Sequence, residues 1–243
     1  MQPPHPANLQ TVPQSASAVV PQQDYRGDFH MHTVYSPDSF MSPVTLARTA
    51  ERKGLNLVAV TDHNTIRGAL AVQQVATIRV IIGEEIRSAD GEIIGLFLTE
   101  EVPPRLTARE TVKRIKDQGG IVQIPHPFDR ARGGHITRSA LMEILPDIDI
   151  MEAFNARTTL RRDVMAAARF IQENQKTHDI LATAVTDSHT PFEIGRVWVE
   201  LPRFEGPQEF LHSLRHARLE GKLVTPLIHV LTRITKWTKP FFG

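Results

Sequence analysis

The stretch RGDFHMHTVYSPDS, residues 26–39, sets two histidines on alternate positions, His30 and His32, with Asp28 before them and Asp38 after. Alternate side chains of a β-strand leave on one face. An extended run here therefore aims both imidazoles the same way, with carboxylates close by. That is a metal-ligand pattern, but the same letters also describe a polar edge strand, and this segment alone does not separate the two. The decision rests on whether other parts of the chain deliver partners to the same place.

Five further β-like runs do so. LNLVAV (55–60) leads into Thr61-Asp62-His63, and RVIIGEEI (79–86) carries Glu85. IVQIPHPFD (121–129) holds His126, DIDIMEAFNAR (147–157) ends at Asn155 and Arg157, and ILATAVTDSHT (180–190) ends with Asp187 and His189, again on alternate positions. Each run is apolar first and polar at its C-terminal end. Helical patterns lie between them. Ser42-Pro43 opens a helix through Lys53, with Ser as cap and Pro in the first turn. A second helix runs from Ile66 to about Ala76. Thr107 and Glu110 have capping-box spacing for a helix that stops at Gly119-Gly120, and Gly206-Pro207 opens a last helix to about Lys222. The turn ADGE (89–92) predicts a hairpin into GEIIGLFLT, and GRVWVELP (195–202) reads as another strand.

Alternating strands and helices imply an α/β domain with a mainly parallel sheet covered on both faces. Functional groups leaving the same end of six successive strands describe a ring with its site at the C-terminal mouth. An open sheet instead concentrates its site at one switch point.

The bulk numbers bound the chemistry. The 243 residues are 41% hydrophobic and 23% charged, with no cysteine and a net charge of +1. That excludes disulfide frameworks and thiolate metal sites, so any metal must use His, Asp and Glu. It also provides no bulk field drawing the chain to nucleic acid or an anionic membrane. Residues 1–24 begin with an uncharged Pro-, Gln-, Ser- and Ala-rich segment that reads as a disordered arm rather than a signal peptide. No stretch has the roughly 18 apolar residues of a membrane span, and the expected location is cytoplasmic. In the tail, residues 226–243, Leu227, Val230, Leu231, Ile234 and Trp237 follow helical spacing with Arg233, Lys236 and Lys239 between them. This is an amphipathic stripe that packs on its own domain or meets a membrane surface or partner.

Eight donors converge on the expected mouth: His30, His32, Asp38, His63, Glu85, His126, Asp187 and His189. Each alone has an ordinary explanation, such as turn chemistry for His126 between its two prolines. One zinc takes about four ligands, so the full set suits two or three divalent ions. Mixed imidazole and carboxylate ligands favour Mn, Fe or Zn over Ca or Mg.

D-x-H-x-H at 28–32, T-D-H at 61–63, G-x-E at 83–85, P-H-P at 125–127 and D-S-H at 187–189, in that order, resemble the motifs of the PHP (polymerase and histidinol phosphatase) family over about residues 25–225. The resemblance implies a distorted (β/α)7 barrel with a two- or three-metal site at the C-terminal strand ends and hydrolysis of phosphoesters. The eight donors match its ligand positions. One position departs: where the family often has a histidine, this chain has Glu92. Glutamate can ligate and biases a site toward oxygen-preferring ions; otherwise Glu92 belongs to the hairpin turn.

Asp28 and Asp62 are expected to accept the second ring N–H of ligating histidines. Arg157 and Arg196 are candidates to grip phosphate. His135, in the Gly-rich RARGGHITR loop, is a candidate general acid or a plain loop residue. The expected activity is hydrolysis of a small-molecule phosphate ester by a metal-activated hydroxide. An exonuclease or oligonucleotide phosphodiesterase ranks second, because two Trp and two Tyr offer little stacking platform. A metal-stabilised, non-catalytic binding module is the rival from another class. The sequence leaves the oligomeric state open.

Overall fold

A computed structural model describes residues 24–221. Residues 1–23 of the expected arm and the amphipathic tail at 226–243 lie outside the described residues. In chain order the strands are β1 (Tyr25–Asp28), β2 (Leu57–Val60), β3 (Arg79–Ser88), β4 (Gly91–Leu96), β5 (Ile121–Ile124), β6 (Ile150–Asn155), β7 (Leu181–Val185), β8 (Val197–Leu201) and β9 (Arg218–Gly221). The helices are α1 (Pro43–Arg52), α2 (Arg67–Val75), α3 (Ala108–Asp117), α4 (Arg138–Ile144), α5 (Arg161–His178) and α6 (Pro207–Leu214).

Local chemistry accounts for the helix starts. Ser42 caps α1 by accepting from the Thr45 N–H, with Pro43 in the first turn. Thr107 and Glu110 form the expected reciprocal capping box of α3. β2 and β5 are buried along their whole length, as strands covered on both faces must be.

The strands form one nearly closed sheet in the order β7-β6-β5-β4-β3-β2-β1-β8-β9. β1-β2-β3 and β5-β6-β7 are parallel triplets. The sheet is mixed rather than mainly parallel, because the β3–β4 hairpin reverses the chain and β4 also pairs antiparallel with β5. β8 pairs antiparallel with β1, and β9 with β8. The ring closes at one rim through a parallel bridge between Met31 and Ser188. Beside it, Asp28 accepts from the backbone N–H and the hydroxyl of Thr186.

Two expectations need adjustment. The first strand, Tyr25–Asp28, ends just before the histidine-bearing run 29–33 expected to form it, where only Met31 makes an isolated bridge; His30 and His32 nevertheless point together, with Nε2 atoms 3.0 Å apart. The last helix stops at Leu214 rather than Lys222, and Arg218–Gly221 becomes β9 instead. Pairing with β8 satisfies that strand's outer edge, which a continued helix would leave open.

Side-chain alternation sorts the core. Leu57 and Ala59 of β2 face an inner cluster with Phe29, Ile81, Ile94, Ile121, Ile150, Val185 and Val199, while Val58 and Val60 face α1 and α2. α6 plugs the N-terminal end of the ring. Phe210 lies 5.1 Å from Phe29, edge to face, and 5.0 Å from Phe204, tilted, centroid to centroid, and aromatic quadrupoles favour such edge-to-face contacts over a flat sandwich. Phe29 thus separates an apolar floor from the polar mouth that begins at His30.

Candidate metal centre

All eight donors meet at the mouth, and Glu85 lies at their middle. Its Oε2 is 3.3 Å from Nε2 of both His30 and His32 and 3.1 Å from His63 Nδ1; its Oε1 is 3.2 Å from His126 Nε2. Asp187 Oδ1 lies 3.6, 3.5 and 3.4 Å from ring nitrogens of His30, His32 and His189. Asp38 bridges the rim, 3.5 Å from His63 Nε2 and 3.3 Å from His189 Nε2. Glu92 divides its two oxygens. One accepts from Arg87 at 2.9 Å across the hairpin, and the other lies 3.7 Å from His126 Nε2. It therefore belongs both to the hairpin and to the centre.

The backbone is bent to achieve this. His126 and Asp187 both have positive φ, 27° and 55°. Non-glycine residues in that region carry strain, which is retained where surrounding structure enforces it. Gly134 shows a similar fit in the Gly-rich loop: at φ +128° a Cβ would come within 2.4 Å of the Glu92 carboxylate.

The ring nitrogens turned away from the centre are held. His30 Nδ1–H donates to Glu152 at 2.8 Å. His32 Nδ1–H meets the Ser36 hydroxyl at 3.0 Å, which in turn donates to Asp62 at 2.6 Å. His189 Nδ1–H donates to the Asp187 carbonyl at 2.9 Å. Such bonds fix the tautomer and direct the other nitrogen inward. Asp28 and Asp62 thus do not take the rings directly: Asp28 holds Thr186, and Asp62 holds Thr33 and acts on His32 only through Ser36. The residue that does take a ring is Glu152, one carboxylate in the apolar run of β6. It also accepts from Gln123, the His126 N–H and Asn155. Glu193 was equally unmarked in the sequence; it is buried and accepts the backbone N–H groups of His189 and Thr190. The signal available for Glu152 was a lone charge inside an otherwise apolar strand.

The other candidates have partners of their own. Arg157 is buried, reaching the Asp187 carbonyl at 3.4 Å and lying 3.6 Å from Glu193. Arg196 is exposed and donates to the Phe192 carbonyl at 3.2 Å. His135 Nδ1–H donates to the Arg132 carbonyl at 3.1 Å. The arginine brought to the centre is Arg132, paired with Asp187.

Charge is balanced by protons. Burial works against an ionised His30, but Asp187, Glu85 and Glu152 outweigh it and raise its pKa well above the usual value. Burial and the neighbouring His189 hold His32 well below its own. His63 is lifted to about 9: burial opposes this, and Glu85 and Asp38 prevail. Glu85 and Asp187 remain well below the carboxylate range despite burial, through His30 and His63 for the first and Arg132 and His30 for the second. Away from the cluster, burial pushes Asp28 and Glu84 up to about 7. Ionised carboxylates facing protonated imidazoles are what a cation site looks like when protons take the cations' place.

The donor set fits divalent metal. Three overlapping groups, His32/His63/His189, His30/His32/Glu85 and His63/Glu85/Glu92, each bring ligand atoms within 4.8 Å of one another. Asp38 Oδ1, His63 Nδ1 and Asp187 Oδ1 are buried without a hydrogen-bond partner. Buried polar atoms left unpaired are costly unless something else engages them.

Comparison with known proteins agrees with this geometry. The PHP domain model matches residues 28–191, and the PHP-associated model matches residues 165–219. A protein of Methanocaldococcus jannaschii is 40% identical over 147 residues, covering 54% of this chain and 82% of its own length. A 5'-3' exoribonuclease of Haemophilus influenzae is 28% identical over 140 residues, half of each chain. Among solved structures, a two-domain protein from Bacteroides vulgatus containing a predicted PHP-like metal-dependent phosphoesterase superposes with a TM-score of 0.67 at 18% identity, covering 82% of this chain and 65% of that one. No helix among the described residues is long and apolar enough to cross a membrane. With its motifs in order, its ring of strands and a family match over more than half its length, the chain belongs to the PHP domain family.

Proposed function

We propose that the protein hydrolyses a small phosphate ester at a centre of two or three divalent ions (Mn, Fe or Zn), held by His30, His32, Asp38, His63, Glu85, Glu92, His126, Asp187 and His189. The observation that carries this reading is the overlap of the three donor groups, which share His32, His63 and Glu85. Ligands shared in this way would hold neighbouring cations close enough to act on one phosphate. Ions bound there supply Lewis acidity and lower the pKa of water.

The protein supplies the rest. Glu152 and Ser36 keep His30 and His32 in the tautomer whose lone pair faces inward. The wall of Phe29 and its neighbours excludes water from below. Arg132 lies beside Asp187 with its side chain 20% exposed; it is placed to donate to non-bridging phosphate oxygens in the fork geometry that suits them.

The test is a panel of phosphomonoesters and dinucleotides assayed with Mn, Fe and Zn in turn, before and after chelation. Hydrolysis that chelator abolishes and one of these ions restores is the expected result. No hydrolysis with any ion would overturn the reading in favour of a binding module. A second reading, an exonuclease, is favoured by the similarity to the Haemophilus influenzae exoribonuclease. A 5'-phosphorylated oligoribonucleotide in the same panel separates the two.

A further inference from the structure

Two loops adjoin the centre, residues 33–42 after His32, which carry Asp38 against His63 and His189, and residues 190–196 after His189. They are joined to each other: the Ser39 hydroxyl donates to the His189 carbonyl at 2.9 Å. The first loop is closed at its base by the Val34 N–H to the Met41 carbonyl, 2.9 Å, and the second is folded onto the Glu193 carboxylate. Both are therefore built segments.

Among the described Phe, Tyr and Trp side chains, three are exposed, and all three stand on these loops: Tyr35 at 37%, Phe40 at 50% and Phe192 at 76%. The other described Phe, Tyr and Trp rings are buried or half-buried. Each exposed ring follows a ligand candidate by two or three residues: Tyr35 after His32, Phe40 after Asp38, Phe192 after His189. At most about 10 Å of chain separates them from the centre. Cations accompany them. The Arg67 guanidinium lies 5.2 Å over the Tyr35 ring, and Arg196 is bonded to the Phe192 carbonyl.

A small polar ester would leave these rings in water. A flat heterocycle carrying a phosphate would not: its face stacks on the rings, its π-system meets the arginines, and its phosphate reaches the centre. We propose that Tyr35, Phe40 and Phe192 form a nucleobase-binding rim, so that the ester taken by the centre is a nucleotide, free or at the end of an oligonucleotide. The inference rests on the hydrolase reading and narrows its substrate class. It also reverses the expectation drawn from aromatic counts, because stacking depends on where the rings stand and not on how many the chain has.

The experiment uses the full chain loaded with metal and compares adenosine 5'-monophosphate, ribose 5-phosphate and a 5'-phosphorylated tetraribonucleotide. The readout is kcat/KM, or Kd where no turnover occurs. The first two differ only in the base, and the third separates a free nucleotide from an oligonucleotide end. The base-bearing ligands should be preferred over ribose 5-phosphate by about tenfold or more. Phe192→Ala and Phe40→Ala should each cut that preference several-fold. Met142→Ala, an exposed apolar residue on α4, should leave it unchanged. Equal values for the base-bearing and base-free ligands, or a preference that survives both phenylalanine variants, would overturn the rim. So would a dimer in sedimentation that Phe192→Ala dissociates while the ligand ratio stays at one. If ribose 5-phosphate is hydrolysed as well as the nucleotide, the rim fails and the hydrolase reading stands. If nothing is hydrolysed yet the base preference persists and is lost in Phe192→Ala, the rim stands and the hydrolase reading fails.

Discussion

Glu152 makes the strongest claim at the scale of a single residue. Four donors converge on its two oxygens: the His30 ring, the Gln123 amide, the His126 backbone N–H and the Asn155 amide. Glu152→Gln keeps the shape but turns one acceptor into a donor facing donors. Leaving buried donors unsatisfied costs about 1–3 kcal/mol. Loss of a partner that fixes a ligand's tautomer lowers metal affinity by about 10- to 100-fold. A metal titration and a urea melt on the variant should show both; metal affinity equal to wild type would mean that His30 is oriented by something else. This residue also marks the limit of what the sequence discloses. The ligand candidates were legible because they are polar groups at the ends of apolar runs, a pattern that repeats from strand to strand. Glu152, Glu193 and Ser36 act on those ligands from inside a strand or loop, and nothing in their spacing announces it. Arg157 shows the converse: a strand-end arginine that looked like a phosphate grip lies buried against Glu193 and the Asp187 carbonyl.

Elements carry their own tests. The capping box of α3 satisfies backbone donors at an exposed helix start, far in sequence from the centre's donors. Thr107→Ala should cost about 1 kcal/mol of stability, read as a lower urea midpoint with the metal affinity unchanged. Gly68, near the start of α2, makes the opposite case. Glycine inside a helix ordinarily gives up about 1 kcal/mol against alanine. Here, however, a Cβ would stand 1.7 Å from Asp62 Oδ2 and 2.5 Å from Thr33 Oγ1. Gly68→Ala should therefore destabilise the fold. It should also weaken metal binding, because displacing Asp62 releases Ser36 from its hold on His32. A stabilised variant in the same melt would show that α2 can shift without disturbing the mouth. Caps such as Thr107 and Ser42 could be read from sequence because they depend on residues three apart. β9 could not, because nothing local to RLEG says that an unpaired edge of β8 waits for it.

At the scale of the whole molecule, the ring places a cluster of like-charged carboxylates and close-packed imidazoles directly above an aromatic plug. The order of apolar and polar residues along each strand already implied that arrangement. Closure at the rim rests on the Met31–Ser188 bridge and the Asp28–Thr186 bonds, both next to ligand candidates. Without cations, the mouth must be held by shared protons and by the Arg132–Asp187 pair. Cations bound to the folded ring and not to the open chain should therefore stabilise it by mass action, about 2.7 kcal/mol per site at a hundredfold excess over Kd. For a domain of this size that corresponds to a rise in Tm of about 5–10 °C per site. Calorimetry with chelator and with each of Mn, Fe and Zn should show the rise, and its saturation should follow the same concentration range as hydrolysis. If activity requires metal while Tm ignores it, the ions bind the open chain as well as the folded ring. If Tm rises and no phosphoester is ever cleaved, the ring is a metal-braced binding module. A rise in both, over one range of metal concentration, ties the closure of the fold to the chemistry at its mouth.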